Sequence, residues 1–187
     1  MHTAKNIDKS YLKGYNKSRK GSVDLVDIQI DKVTDCLVDK STGEEVNTAV
    51  SLITPKKKDF KDWLFDWTKP KKDGEKVYSL FVEGSDVVQG LVSVKFEYGG
   101  VFVGIVESAP HNKGLNGKYE GVGAHLFAIA CKEAQDNGMD VVFFDAKTNL
   151  IPYYKKILGA EQIGSSQRML IEGEAFENLV RIYFKKG

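Results

Sequence analysis

Between residues 118 and 126 the chain reads Lys118-Tyr119-Glu120-Gly121-Val122-Gly123-Ala124-His125-Leu126. Two glycines open a segment in which Val122, Leu126, Ile129, Ala130 and Ala134 mark one face of a helix. The first turn of a helix carries amide groups with no intrahelical acceptor, and the positive end of the helix dipole lies there. That combination suits a phosphate, and glycine lets the backbone approach a pyrophosphate closely. A dinucleotide-binding GxGxxG would need a third glycine where Leu126 stands, and a P-loop would need Gly-Lys followed by Ser or Thr, which the chain lacks. Other chemistry-bearing residues flank this segment. Glu107 and Ser108 end an apolar run, His111 and Asn112 follow in a loop, and the tyrosine pair Tyr153-Tyr154 comes downstream. His125 reads as structural, and Cys131 as a small buried side chain, because nothing nearby would lower its pKa.

The elements that would position these residues can be read from periodicity and punctuation. Three strands, Lys76 to Glu83, Val87 to Phe96 and Val101 to Ser108, are separated by Gly84-Ser85-Asp86 and Gly99-Gly100. Gaps so short make antiparallel hairpins. A loop from Pro110 to Lys118 leads to the glycine-opened helix, which runs to about Asn137 with Gly138 as its stop. Val141 to Phe144 is fully apolar, as in a strand covered on both faces. Asn149 to Leu158 reads as a helix closed by Gly159. Ala160 to Ile163 and Arg168 to Ile171 form a last hairpin, and Phe176, Leu179, Val180 and Tyr183 mark a final helix. Upstream, Cys36 to Val38 and Val46 to Ile53 read as a hairpin. Phe60, Trp63, Leu64 and Trp67 recur at helical spacing, which predicts an amphipathic helix over Asp59 to Trp67 with both tryptophans in the core. Val23 to Ile30 alternates as a half-buried strand. Residues 1–22 form a basic arm with lysines at i, i+4 spacing. The expected organisation is that arm followed by a single domain over residues 23–187. The fold class is α/β, of mixed α+β character, with a central mixed sheet, mostly antiparallel, flanked by helices.

Composition narrows the function classes. The chain has 187 residues, 42% of them hydrophobic and 28% charged, which excludes disordered, collagen-like and coiled-coil chains. No apolar run reaches transmembrane length, and the first residues carry no apolar signal segment, so no membrane partner and a cytoplasmic location are expected. The net charge of +1 and a pI of about 7.7 give no footprint for nucleic acid. Only three of the 27 basic residues are arginine, which also counts against a nucleic-acid reader. Two cysteines make no disulfide framework, and three histidines without a Cys/His cluster argue for no metal.

The segment Lys118 to Ala124 resembles the acyl-CoA signature of the GNAT superfamily of acetyl-CoA-dependent N-acetyltransferases. In that signature an Arg or Gln is followed by two residues, a Gly, one residue, then Gly or Ala; here those positions hold Lys118, Gly121 and Gly123. Asn149 to Ala160, with its Asn, Tyr-Tyr and Gly, is similar to the superfamily's second CoA-side motif. The element order from Lys76 to Ile171 matches as well. Lys118 departs from Arg or Gln and loses bidentate geometry, and Ala160 stands where an aromatic residue is common.

This resemblance implies roles. The strand ending at Val106-Glu107-Ser108 would splay from the strand Val141 to Phe144, with acetyl-CoA as cosubstrate in the gap. A backbone amide near Val106 or Ser108 would polarise the thioester carbonyl. Lys118, Tyr119 and the amides of Gly121, Val122, Gly123 and Ala124 would form the pyrophosphate end. Asn149 would contact the pantetheine arm. Tyr154 would protonate the departing thiolate, or else only wall the cofactor without proton transfer; Tyr153 would contact the cofactor and is the competitor for the acid role. Glu107, directly or through a water, would serve as base, and His111 and Asn112 would meet the acceptor. The expected activity is acetyl transfer from acetyl-CoA to a primary amine by direct attack in a ternary complex. The rival is a CoA-binding regulatory or interaction module of the same fold. The acceptor and a homodimer both stay open, as does recruitment of a macromolecular acceptor such as RNA by the basic arm.

Overall fold

The computed structural model describes residues 36–184. The basic arm over residues 1–22 and the strand expected at Val23 to Ile30 lie outside the described residues. The elements in chain order are β1 (Leu37–Asp39), β2 (Glu45–Val46), β3 (Thr48–Ile53), the single helical turn α1 (Lys69–Lys72), β4 (Lys76–Val82), β5 (Val88–Glu97) and β6 (Gly100–Ser108). They continue with β7 (Tyr119–Glu120), α2 (Val122–Asp136), β8 (Val141–Asp145), α3 (Ile151–Leu158), β9 (Glu161–Gln162), β10 (Arg168–Glu172) and α4 (Gly173–Tyr183).

Seven strands form the main sheet in the order β3-β4-β5-β6-β8-β10-β9. Short hairpins make β4, β5 and β6 antiparallel, as the glycine-marked gaps require. The β6–β8 pair is parallel, because the chain crosses over through α2 to reach β8. The remaining pairs of this sheet are antiparallel. The architecture is therefore the mixed, mostly antiparallel sheet with flanking helices expected from the element order.

Alternation along β5 divides the core. Val92 and Val94 join the large cluster that α2 and α4 bury against one face of the sheet, with Val103 of β6, Val142 of β8 and Leu126, Ile129 and Phe176 of the helices. Leu91 points the other way, into a smaller cluster with Trp67 and Val77, against which Phe60, Trp63 and Ile105 pack.

Two local expectations are corrected. The helix over Asp59 to Trp67 does not form; a 3-10 turn at Lys57–Phe60 is followed by turns. Phe60, Trp63 and Trp67 still converge, with edge-on ring contacts at 5.3 and 6.3 Å, but Leu64 is exposed. The amides of Leu64 and Phe65 donate to the Glu107 carboxylate, 2.7 and 3.2 Å away, and this replaces helical bonding there. The upstream hairpin is shorter than its apolar pattern. β1 pairs with β2 as Leu37↔Val46 and Val38↔Glu45, whereas Thr48–Ile53 leaves as β3 to join the main sheet beside β4. The other edge of β1 takes β7, as Val38↔Glu120 and Asp39↔Tyr119, so a three-stranded ribbon anchors the chain just before α2.

Candidate functional site

β6 and β8 are paired only through Val101↔Val142, Phe102↔Phe143 and Val103↔Phe144. β6 then continues to Ser108 bonded to β5 alone, so the sheet opens beyond Val103. A bulge marks the point of departure. The β5–β6 register steps from Ser93↔Ile105 to Val94↔Val103, which leaves Gly104 as the extra residue. Gly104 is exposed although its strand lies mid-sheet. The Ile105 amide, displaced by the bulge, donates to the Ser93 hydroxyl at 2.8 Å.

At the far end of β6 the chain turns through the loop to α2. Gly121 caps the helix with φ +88°, a left-handed conformation that few side chains tolerate. The first intrahelical bond runs from the His125 amide to the Gly121 carbonyl at 3.0 Å. Val122 and Ala124 are buried, and Gly123 is half-buried. α2 sits directly on β5. A Cβ at Gly90 would approach Leu126 Cδ1 to 2.8 Å and Val122 Cγ1 to 2.9 Å, so this position has room only for glycine.

The loop itself is braced from two sides. Asn112, 8% exposed, donates from Nδ2 to the Gln89 carbonyl and to Gln89 Oε1, both at 3.0 Å, and its Oδ1 accepts the Tyr119 amide. His111 Nε2 lies 2.9 Å from Gln89 Oε1, and loss of solvent, with Lys118 nearby, lowers its pKa below the ordinary value. From the other side the Lys40 amide donates to the Lys118 carbonyl, and Lys40 Nζ to the Leu115 carbonyl. The Lys118 ammonium lies over the Tyr119 ring, 4.8 Å from its centroid. The structure thus employs Asn112 and His111, both expected to meet an acceptor, as braces between β5 and the loop. The loop opens with a 3-10 turn at Pro110–Asn112 and leads into β7.

Beyond β8, Asn149 lies exposed in a 3-10 turn that leads into α3. Tyr154 packs against Phe144 of β8 at 4.9 Å and Phe127 of α2 at 5.5 Å, with Tyr153 at 5.3 Å. Burial pushes the Tyr154 phenol up to about 12. Val106 belongs with the same large cluster, so Val106 and Tyr154 share the α2 side of the sheet.

Glu107 faces the opposite side. Only 4% exposed, it receives the Leu64 and Phe65 amides, the Trp67 indole at 2.9 Å and the Lys113 ammonium at 2.6 Å. Four donors occupy the lone pairs a base would use. The arrangement makes this carboxylate the anchor of the 64–67 turn.

A second carboxyl, which the sequence reading did not single out, lies at the bulge. Glu75 follows α1, and a Cβ at Gly104 would fall within 2.7 Å of its Oε1 and closer still to its Oε2. Glu75 Oε2 is buried without a hydrogen-bond partner. Burial raises the Glu75 pKa above the ordinary carboxyl value, against an opposing contribution from the Ser93 hydroxyl. No local pattern marks this residue, because its surroundings come from β5 and β6. Among the described residues no group of three or more His, Cys, Asp or Glu could hold a metal ion, and no helix is long and apolar enough to cross a membrane.

No family model matches the chain, and no curated protein matches it by sequence. Solved structures match its shape. A mutant of the toxin AtaT, bound to acetyl-CoA and to the C-terminus of the antitoxin AtaR, is similar at 16% identity, over 72% of this chain and 98% of that one, with a TM-score of 0.50. A second structure of the AtaT mutant toxin is similar at 13% identity, over 82% of this chain and 98% of its own, also at 0.50. An acetyltransferase of Bacillus subtilis in complex with CoA is similar at 15% identity, over 68% of this chain and 99% of its own, at 0.49.

Proposed function

Starting from the fold, which is that of the GNAT superfamily, we propose that this protein transfers an acetyl group from acetyl-CoA to a primary amine, by direct attack in a ternary complex. The observation that carries the reading is the opened pair. β6 and β8 separate after Val103 and Phe144, α2 begins beside the end of β6, and α3 begins beyond β8. The acetyl-CoA bound by the AtaT mutant, whose fold this chain shares, supports the identity of the cosubstrate.

In this reading the pyrophosphate lies at the start of α2, over Gly121, Val122, Gly123 and Ala124, with Lys118 and Tyr119 leading in. The pantetheine arm passes between β6 and β8 beside Asn149 and Tyr153. A β6 amide near Val106 or Ser108 holds the thioester oxygen as negative charge develops on it. Tyr154 supplies the proton to the departing thiolate. The phenol carries its proton at neutral pH, as a general acid must before the thiolate departs. Glu107, with its lone pairs engaged, holds the acceptor-side turn in place.

Calorimetric titration with acetyl-CoA, with free CoA as comparison, tests the cofactor half. Saturable binding near one equivalent is expected, and Gly123→Val should weaken it by crowding the pyrophosphate. Equal affinity in a folded Gly123→Val variant would overturn this placement. Release of CoA in a primary-amine screen tests the transfer half. There Tyr154→Phe should lower turnover by about 10²-fold or more. A change within a few-fold would move the acid role to Tyr153. Binding without CoA release by any amine would favour a CoA-binding regulatory module instead.

A further inference from the structure

We propose that Glu75 is the general base of the transfer, taking the proton of the attacking amine nitrogen at the Gly104 bulge. The assignment rests on the transferase reading above. Three features of the structure carry it.

The first is position. Ser93 lies between Val92 and Val94, which face α2, so Ser93 and the Glu75 carboxyl beside it occupy the other face of the sheet. Gly104, against which the carboxyl rests, is the residue at which β6 leaves β8, and it is exposed. Tyr154 stands on the α2 side of the same opening. The two groups therefore approach one gap from opposite faces, as a base for the nucleophile and an acid for the leaving group must.

The second is availability. Among the described residues the buried side-chain atoms without a hydrogen-bond partner are Glu75 Oε2 and His125 Nδ1. His125 is enclosed in the core, its ring tilted against that of Tyr183 with centroids 4.4 Å apart. Glu75 Oε2, buried as well, lies against Gly104, the residue after the last β6–β8 pair. Glu107, on the same face, has four donors and no such vacancy.

The third is the protonation equilibrium. Burial holds the Glu75 pKa above the ordinary carboxyl value. The groups that act on it are the Ser93 hydroxyl, Asp73 at the end of α1, and Lys95 and Glu97 of β5, with Lys95 and Glu97 paired at 2.8 Å. A raised pKa brings the carboxylate closer to that of a useful base at neutral pH.

The step balances without a further reactant. An alkylammonium first releases one proton to solvent; the neutral nitrogen then attacks the thioester carbonyl carbon, the N–C bond forms and the C–S bond breaks. The nitrogen's proton passes to Glu75, and the sulfur receives one from Tyr154. Exchange with solvent then returns both side chains to their starting state.

The test compares wild type, Glu75→Gln and Gly104→Ala in CoA release from acetyl-CoA. It uses two nucleophiles: a panel of primary alkylamines, protonated at pH 7, and hydroxylamine, which is neutral there and depends less on a base. For Glu75→Gln, kcat/KM with alkylamines should fall by about 10²-fold or more, with a much smaller loss for hydroxylamine. The acidic limb of the wild-type pH profile should flatten. Gly104→Ala, which drives a methyl group into the carboxylate, should reproduce the selective loss. Acetyl-CoA affinity should stay at the wild-type value in Glu75→Gln. A carboxyl raised by burial costs stability as pH rises through its folded pKa, so Glu75→Gln should raise Tm at pH 7. Alkylamine rates within about threefold of wild type would overturn the assignment, because a base contributes far more. So would equal loss with both nucleophiles accompanied by a lower Tm, which marks a structural role. A wild type that binds acetyl-CoA but acetylates neither nucleophile would instead overturn the transferase reading itself.

Discussion

The two faces of the sheet meet at one opening, but they are held in different ways. On the α2 face the positioning is redundant. The loop before α2 is tied to β5 through Gln89, Asn112 and His111, to β1 through β7, and α2 itself lies on Gly90. On the other face, the 57–68 segment has a short 3-10 turn and no longer helix, and its turn over Leu64 to Trp67 is gathered by one carboxylate. A helix N-terminus presented through many bonds keeps its geometry when one is lost. A turn gathered by one group does not. The comparison indicates that the α2 side is held by many separate bonds, and that the other side concentrates its order in Glu107.

The sharpest way to break this comparison is Glu107→Ala. It strands the Leu64 and Phe65 amides, the Trp67 indole and the Lys113 ammonium, and removing one partner from a buried charged pair costs about 3–5 kcal/mol. Denaturant unfolding should show that loss. Hydrogen exchange should quicken over residues 57–68 before it quickens in α2. If the faces are as independent as their bonding implies, acetyl-CoA affinity should change by less than about threefold. A large loss of affinity in a folded variant would show that the faces are coupled.

Acid should expose a weakness on the α2 face next. Burial lowers the His125 pKa to about 4. The unfolded chain takes up this proton at about pH 6.5, so the unfolded state binds more protons between the two values. Stability is unaffected above that window and declines as pH falls through it, by about 3 kcal/mol in all. His125→Gln should flatten the decline in Tm between pH 6.5 and 4. A decline unchanged by the substitution would assign the acid sensitivity to other groups.

The smallest effect should come from Asn112→Ala. It removes two donated bonds to Gln89 and the acceptor for the Tyr119 amide, at a cost of about 1–3 kcal/mol for the buried groups left unpaired. Because β7 still holds the loop, the fold should survive. Acetyl-CoA affinity should fall more than in Glu107→Ala, since Asn112 braces the approach to Gly121. The reverse order of the two affinities would remove the distinction drawn between the faces.

Much of the α2 side was legible in the sequence because its determinants are local. Gly121 announced the start of α2, and Gly138 and Gly159 the ends of α2 and α3, since left-handed backbone favours glycine wherever it falls. Gly84 and Gly99 punctuated the hairpins. Alternation and glycine spacing were enough for β4, β5 and β6, and a short apolar run for β8. The helical spacing of Phe60, Trp63 and Trp67 located a buried face correctly but assigned it the wrong backbone. Spacing records which side chains converge, and the competition from Glu107 for the Leu64 and Phe65 amides comes from a strand some forty residues away.

The chemistry of the carboxyls could not be read in the same way. Glu107 stands at a strand end beside a candidate site, which made it a natural base in sequence; four donors from elsewhere in the chain make it an anchor. Glu75 is a single acid after a glycine, and nothing around it in sequence sets it apart. Its burial, its unpartnered oxygen and its contact with Gly104 exist only once β5, β6 and α1 are assembled. Sequence by itself determined β4, β5, β6 and β8 and the start and end of α2, because backbone conformation there depends on near neighbours. Tertiary structure alone decided which carboxyl is engaged and which is available. Desolvation and hydrogen bonding are properties of surroundings, and those surroundings are supplied by residues distant in the chain.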